Sequence, residues 1–287
     1  MKYIDLHVHS YFSDGSCSPA ELIQLASEAD LAAFALTDHD TLEGLPDALE
    51  AASSYNNAHP DKPIEVIPGV EISAAFRKKD IHILGLMVDP ASKNLNEALE
   101  RARMERDNRN EKMVASLKEG GLRIDLAAIQ EANADAVITR AHFATYLVET
   151  GQVKDYKTAF DRYLGDNTPY YVPRKFVDPA DAIRLILEAG GIPVLAHPLL
   201  YHLNEREIRE LVSKLKANGL MGIETLYSNN SEQDEVFVRR LAKEFDLLMT
   251  GGSDFHGIPK PTIKIGIGKG NLKIPYELLQ KLKDAKQ

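Results

Sequence analysis

The stretch Asp5-Leu6-His7-Val8-His9-Ser10 constrains the fold more than any other part of the 287-residue chain. Successive side chains of a strand point to opposite faces. In a regular strand Ile4, Leu6 and Val8 share one face, and Tyr3, Asp5, His7 and His9 share the other. Two imidazoles on one buried face need hydrogen-bond partners and repel each other once protonated. A metal ion satisfies both nitrogens at once.

The same signature recurs along the chain: an apolar run ends in, or contains, a metal-ligand side chain. Asp14 follows the first strand in a Gly15 turn, and Ser18-Pro19-Ala20-Glu21 then reads as a capping box opening a helix. Ala32 to Leu36 leads into Thr37-Asp38-His39, and Glu71 lies between Val70 and Ile72. His82 sits in Asp80-Ile81-His82-Ile83-Leu84, His197 follows Ile192 to Ala196, and Asp254 and His256 follow Leu247 to Thr250. Six of the nine histidines and three carboxylates are thus placed at strand ends or within strands.

Strand and helix alternate on both sides of a helical stretch, which predicts a parallel, barrel-like α/β domain with an insertion. Residues 1–93 and 191–287 are assigned to the barrel, and 94–190 to the insertion. In such barrels the chemistry gathers at the C-terminal ends of the strands, where these nine residues fall. A single divalent ion takes about four to six ligands, so nine suit two or three ions. The mixture of imidazole and carboxylate favours Zn²⁺, Mn²⁺ or Fe²⁺ over ions that prefer an all-oxygen shell. Three carboxylates leave a net charge of about +3 with three dications and about +1 with two, which attracts a phosphate. Such a centre also turns a bound water into a hydroxide nucleophile near neutral pH.

The insertion carries basic residues whose reading is open. Arg106, Arg109 and Asn110 interrupt a helical apolar stripe that begins at Leu95 and resumes at Met113. They fit either a solvated face paired with Glu105, Asp107 and Glu111, or a helix that overhangs a phosphate. Tyr171 and Arg174, in Tyr170-Tyr171-Val172-Pro173-Arg174-Lys175, suit stacking on a base or covering a phosphate. Arg140, His142 and Arg174 are candidates for gripping phosphate or shielding the leaving group, the alternatives being surface salt bridges for the arginines and a helix cap for His142.

Composition narrows the partners. A formal charge of −9 disfavours a long nucleic acid as a stable partner, while a local basic cleft for a small phosphorylated substrate or RNA end remains open. Cys17 is the only cysteine, so no intrachain disulfide forms, and with no leader-like or membrane-spanning run the expected compartment is the cytoplasm. His59 and His202 read as surface residues and Cys17 as a bystander thiol.

His7-Val8-His9, Thr37-Asp38-His39, Gly69-Val70-Glu71-Ile72, His82-Ile83-Leu84-Gly85, Ala196-His197-Pro198 and Gly252-Ser253-Asp254-Phe255-His256 together resemble the successive motifs of the PHP (polymerase and histidinol phosphatase) family of metal-dependent phosphoesterases. The resemblance spans essentially the whole chain and implies a distorted seven-stranded (β/α) barrel with a trinuclear site. By motif position it implies that His7, His9, Glu71 and Asp254 hold one ion. Glu71 would bridge to a second, held also by His82 and His197, and Asp14, His39 and His256 would hold the third. The carboxylate at Asp14 looks like the branch of nucleoside 5′-monophosphate and 3′,5′-bisphosphate phosphatases and a 5′ to 3′ exoribonuclease acting on short RNA. The expected activity is therefore phosphate hydrolysis on nucleotides such as pAp or AMP. The alternatives are histidinol phosphate or another small phosphomonoester, and a non-catalytic module stapled by metal.

Overall fold

The computed structural model describes residues 2–77, 79–173 and 177–286. Its elements run β1 (Tyr3–Val8), α1 (Pro19–Glu28), β2 (Leu31–Leu36), α2 (Leu45–Ala58), β3 (Glu65–Phe76) and β4 (Lys79–Leu86). The helical stretch follows: α3 (Lys93–Glu119), α4 (Leu126–Ala132), α5 (Arg140–Glu149), α6 (Tyr156–Ala159) with a π-helical turn Phe160–Leu164, and α7 (Pro179–Glu188). The chain then returns to β5 (Ile192–Leu195), α8 (Glu205–Ala217), β6 (Gly222–Tyr227), α9 (Glu232–Glu244), β7 (Leu248–Gly252) and α10 (Tyr276–Lys286). Several helices start where the sequence offers reciprocal caps: Ser18 with Glu21, Asn204 with Glu207, and Ser231 with Asp234. Among the described residues no helix is long and apolar enough to cross a membrane.

The seven strands form one sheet in sequence order. Backbone hydrogen bonds from Asp254 to His7 (2.9 Å) and from His9 to Phe255 (3.0 Å) bring the end of β7 against β1, so the sheet is a nearly closed barrel. Gly252 permits that approach, because a Cβ there would collide with the Cβ of His7. One expectation is corrected. The barrel is not wholly parallel, since β4 runs antiparallel to both β3 and β5. The β3–β4 connection is a hairpin, too short for the helical crossover a parallel pair needs.

Side chains from the strands separate into two layers. Ile4, Leu6, Ala33, Ala35, Ile67, Leu84, Val194 and Leu226 fill the barrel, and Leu279 and Leu282 of α10 pack with them. Val8, Leu36, Val70, Ile72, Ile83 and Leu195 face outward against the helices. The regular alternation expected of β1 is therefore broken: Ile4 and Leu6 point inward, yet Val8 points outward. A register shift between Asp5 and Val8 accounts for this, since three residues of β1 pass two of β2. Such a bulge re-aims side chains at a barrel rim, and here it turns His7 inward directly after Leu6.

Helices α3 and α7 pack on the barrel through Leu95, Ala98, Leu99, Ala182, Ile183 and Ile186. A separate core, built from Met113, Leu117, Ile129, Phe143, Leu147 and Leu164 among others, sits beyond them. This second core is narrower than the 94–190 segment, because the first half of α3 and all of α7 belong to the barrel's packing.

Candidate metal centre

Four donor atoms face one another at the C-terminal end of the barrel. His7 Nε2 lies 3.3 Å and His9 Nε2 3.2 Å from Glu71 Oε2, and the same two nitrogens lie 3.6 and 3.5 Å from Asp254 Oδ1. A tetrahedral ion with bonds of about 2.0–2.1 Å has donor–donor edges of about 3.3 Å. The spacing is therefore that of a coordination shell. His7 Nε2, His9 Nε2 and Glu71 Oε2 are also buried without a hydrogen-bond partner, as are Asp14 Oδ1 and His39 Nδ1. Buried polar atoms left unpaired are costly unless a cation satisfies them. The cluster fits a divalent metal site.

Further donors extend the centre on either side of Glu71. Its other oxygen, Oε1, lies 2.8 Å from His82 Nδ1 and 3.0 Å from His197 Nε2, and Oε2 lies 3.1 Å from His39 Nδ1. Asp14 Oδ1 lies 3.2 Å from His256 Nε2, 3.8 Å from His39 Nε2 and 3.9 Å from His9 Nδ1. Groups of donors spaced closely enough to share an ion are His7, His9 and Glu71; His39, Glu71 and His82; and His9, Asp14, His39 and His256. All nine sequence candidates thus gather in one place. His197 and Asp254 hold positive φ, as does Asp40, a backbone conformation uncommon for residues other than glycine.

The carboxylates and imidazoles of the centre shift one another's protonation. Burial alone would raise Glu71, but His82, His39 and His7 hold its carboxyl well below the usual range. Burial also opposes the charge on Asp14 and Asp254, and it is outweighed by His39 and His256 for the first and by Lys260, His256 and His7 for the second. The same carboxylates act on the imidazoles. Against the cost of burial, Asp254 and Glu71 push His9 up to about 9, and Glu71 and Asp80 push His82 up to about 10. His39 goes the other way, to about 3, because burial dominates there.

Several residues that position the donors escaped the sequence reading. Glu224, wholly buried, accepts from His7 Nδ1 (3.1 Å) through one oxygen and from the backbone N–H of His197 (2.8 Å) through the other. A carboxylate behind an imidazole fixes its tautomer and leaves Nε2 for the metal. Its signal, an acid between Ile223 and Thr225 in a buried strand, is the one that singled out Glu71. Asp5, which shares a strand face with the histidines in a regular β1 and so offers itself as an imidazole-orienting carboxylate, instead accepts backbone N–H groups of Ser253 (2.8 Å), Gly266 (2.7 Å) and His7 (3.3 Å). Tyr227 Oη (2.8 Å) and Lys260 Nζ (2.6 Å) both donate to Asp254 Oδ2, which leaves Oδ1 facing His7 and His9. No local pattern marks either residue.

A cavity of about 380 Å³ opens over the centre. Asp14, His39, His82 and His256 form its floor, while Arg106, Arg109, Arg140, Tyr156, Phe160 and Tyr171 come from the insertion. The solvated-face reading of the α3 cations is overturned: Arg106, Arg109 and Asn110 are only 6, 5 and 1 % exposed. Arg106 is paired with Asp40 and reaches Ser73 Oγ (3.3 Å), and Asn110 donates to the Ile138 carbonyl (3.0 Å). Arg140 is paired with Asp166, lies 3.6 Å from Asp80, and spreads over the Tyr171 ring at 5.7 Å. His142 takes its alternative role: Nδ1 accepts from the Thr139 backbone N–H (2.9 Å) in a capping box, and the side chain is not part of the cavity wall. Arg174 lies outside the described residues. His59 and His202 are exposed, as expected, and Cys17 is half-buried away from the cavity wall.

Barrel and donor set define a metal-site α/β barrel, and the chain's family and relatives make it a metal-dependent phosphoester hydrolase. The chain belongs to the PHP domain family, whose model matches residues 5–169. It is 37 % identical to a 5′-3′ exoribonuclease of Haemophilus influenzae over 92 % of this chain and 93 % of that one. It is also 37 % identical to a 3′,5′-nucleoside bisphosphate phosphatase of Chromobacterium violaceum, over 89 % of this chain and 88 % of the relative. A crystal structure of a Chromobacterium violaceum amidohydrolase with bound sulfate superposes with a TM-score of 0.84 at 36 % identity, covering 92 % of this chain and 90 % of that one. A Bifidobacterium adolescentis protein assigned as a metal-dependent phosphoesterase superposes with a TM-score of 0.85 at 27 % identity, covering 98 and 95 %.

Proposed function

We propose that this chain removes phosphate from nucleotides, with nucleoside 3′,5′-bisphosphates, 5′-mononucleotides and the 5′ ends of short RNA as its substrate class. The observation that carries this reading is the two-sided cavity: metal-ligand side chains on one wall face arginines and aromatic rings on the other. Its volume of about 380 Å³ lies within the range of about 300–1,000 Å³ usual for small-molecule sites. The activities for which the exoribonuclease and bisphosphatase relatives are named agree with it.

In this reading His7, His9, Glu71 and Asp254 hold one ion, Glu71 with His82 and His197 a second, and Asp14, His39 and His256 a third. Mn²⁺, Zn²⁺ and Fe²⁺ are the ions this donor set suits. When bound, the ions supply Lewis-acid stabilisation of phosphoryl charge and acidify a water to make the nucleophile. The protein's own contribution is placement. Glu224, Tyr227 and Lys260 fix which atoms of His7 and Asp254 face inward. Arg106 and Arg140, anchored by Asp40 and Asp166, present N–H groups at fixed positions on the opposite wall, where a phosphate oxygen is bound by paired donors. Tyr171, lying under Arg140, and Phe160 offer flat apolar surface for a base. The segment 94–190 acts as the cover that selects the substrate.

The test is a hydrolysis panel of pAp, AMP, a short 5′-phosphorylated RNA and histidinol phosphate, with Mn²⁺, Zn²⁺ or Fe²⁺ restored. A kcat/KM at least about ten-fold higher for the nucleotides than for histidinol phosphate is expected, equivalent to about 1.4 kcal/mol of added transition-state binding. Equal rates across the panel contradict the proposal.

A further inference from the structure

We propose that Thr139, the cap of α5, is a positioning residue for the third ion, so that the insertion completes the metal centre as well as covering it. The inference rests on the ligand reading above and goes beyond it. Thr139 Oγ1 donates to Asp14 Oδ2 at 3.0 Å across 125 residues of sequence. That leaves Asp14 Oδ1 turned toward His256 Nε2 (3.2 Å) and His39 Nε2 (3.8 Å). Thr139 is the one hydrogen-bond donor to Oδ2 among the described residues, and both side chains are buried.

The threonine is itself held firmly. Its N–H donates to His142 Nδ1 (2.9 Å), and its Oγ1 accepts from the Ala141 N–H (3.1 Å). Asn110 of α3 grips the carbonyl of the preceding Ile138 (3.0 Å), and the Val137 N–H donates to the carbonyl of Phe12, in the loop that carries Asp14 (3.0 Å). A carboxylate tied through one oxygen offers the other in a fixed direction; untied, it rotates, and the ion must order it on binding. The neighbouring residue reaches a second ligand, since Arg140 lies 3.6 Å from Asp80 Oδ2 and Asp80 Oδ1 lies 3.5 Å from His82 Nε2. The first turn of α5 thus touches the supports of two ions and the cavity wall together. Seating of the insertion and filling of the third site are coupled.

The experiment compares Mn²⁺ titrations of metal-stripped wild type, Thr139→Ser and Thr139→Gly by calorimetry, with bound metal counted after gel filtration. Serine keeps both the cap and the donor; glycine keeps most of the cap and removes the donor. The expected result is that Thr139→Ser matches wild type. Thr139→Gly should weaken one ion by about ten-fold or more while the tighter ions keep their affinity and the melting temperature of the stripped protein falls only slightly. Three results overturn the proposal: Thr139→Gly titrating like wild type, all ions weakening equally with a lowered melting temperature, or a wild type that holds no third ion. The readout is metal alone, so a chain that binds ions as described yet ignores nucleotides defeats the substrate proposal and leaves this one standing.

Discussion

The barrel rim and the insertion wall meet in one cavity but are built by opposite means. At the rim, His7, His9 and Glu71 are wholly buried and aim donor atoms at one another with no hydrogen bond to satisfy them. On the insertion wall, Arg106 and Arg140 are neutralised by Asp40 and Asp166 before any substrate arrives. The rim stores unsatisfied ligand atoms and awaits a cation, whereas the wall is already balanced and supplies shape and direction. Chemistry should therefore fail when the rim is altered, and selectivity should change when the wall is.

The largest effect is expected at Glu71, whose two oxygens face five imidazoles. Glu71→Ala should reduce kcat by on the order of 10³-fold or more and release bound metal. Metal analysis beside single-substrate kinetics checks this, and a metal-stapled binding module would show background activity in parent and variant alike. Next comes Asp40→Ala, which strands the buried Arg106 guanidinium. Removing one partner of a buried pair costs about 3–5 kcal/mol, so urea denaturation should show a loss of that order. If stability holds, Arg106 is not the buried, paired cation described for the wall.

Smaller and more selective is Arg140→Ala. Its kcat/KM for nucleotides should fall about ten-fold, mostly through KM, with bound metal unchanged. A fall in kcat alone would move Arg140 from substrate placement to the chemical step. Smallest is Lys157→Ala: the pair of Lys157 on α6 with Asp161 in the π-helical turn is solvent-exposed and screened, so the urea midpoint should stay unchanged. A lowered midpoint would mean that α6 is held by charge instead of by its packing.

The same contrast separates what was legible in the sequence from what was not. The nine rim residues stand out because a histidine or acid in or after an apolar run is costly to bury unless a cation satisfies it, and all nine converge. Glu224 carried the same mark and went unread. Tyr227 and Thr139 carry none, because Asp254 and Asp14 reach them only through the barrel and the returning insertion, and Lys260, six residues after Asp254, reads as an ordinary loop cation. On the wall, the spacing of Arg106 and Arg109 is equally consistent with a solvated face, and only the arrival of Asp40 from the β2 side settles burial. The antiparallel course of β4 was hidden too, since alternation of apolar residues carries no direction. The bulge in β1 is a backbone irregularity that a short apolar-polar run does not reveal.

The central claim is that one nine-residue centre at the barrel rim holds the ions, with Glu71 between two of them. Anomalous diffraction at the manganese edge, from crystals soaked in Mn²⁺, tests it most directly. The account predicts two or three peaks, two of them within about 2.0–2.4 Å of the Glu71 carboxylate oxygens, on the His7–His9–Asp254 side and the His82–His197 side. Peaks confined to surface carboxylates, with none within bonding distance of Glu71, would contradict it.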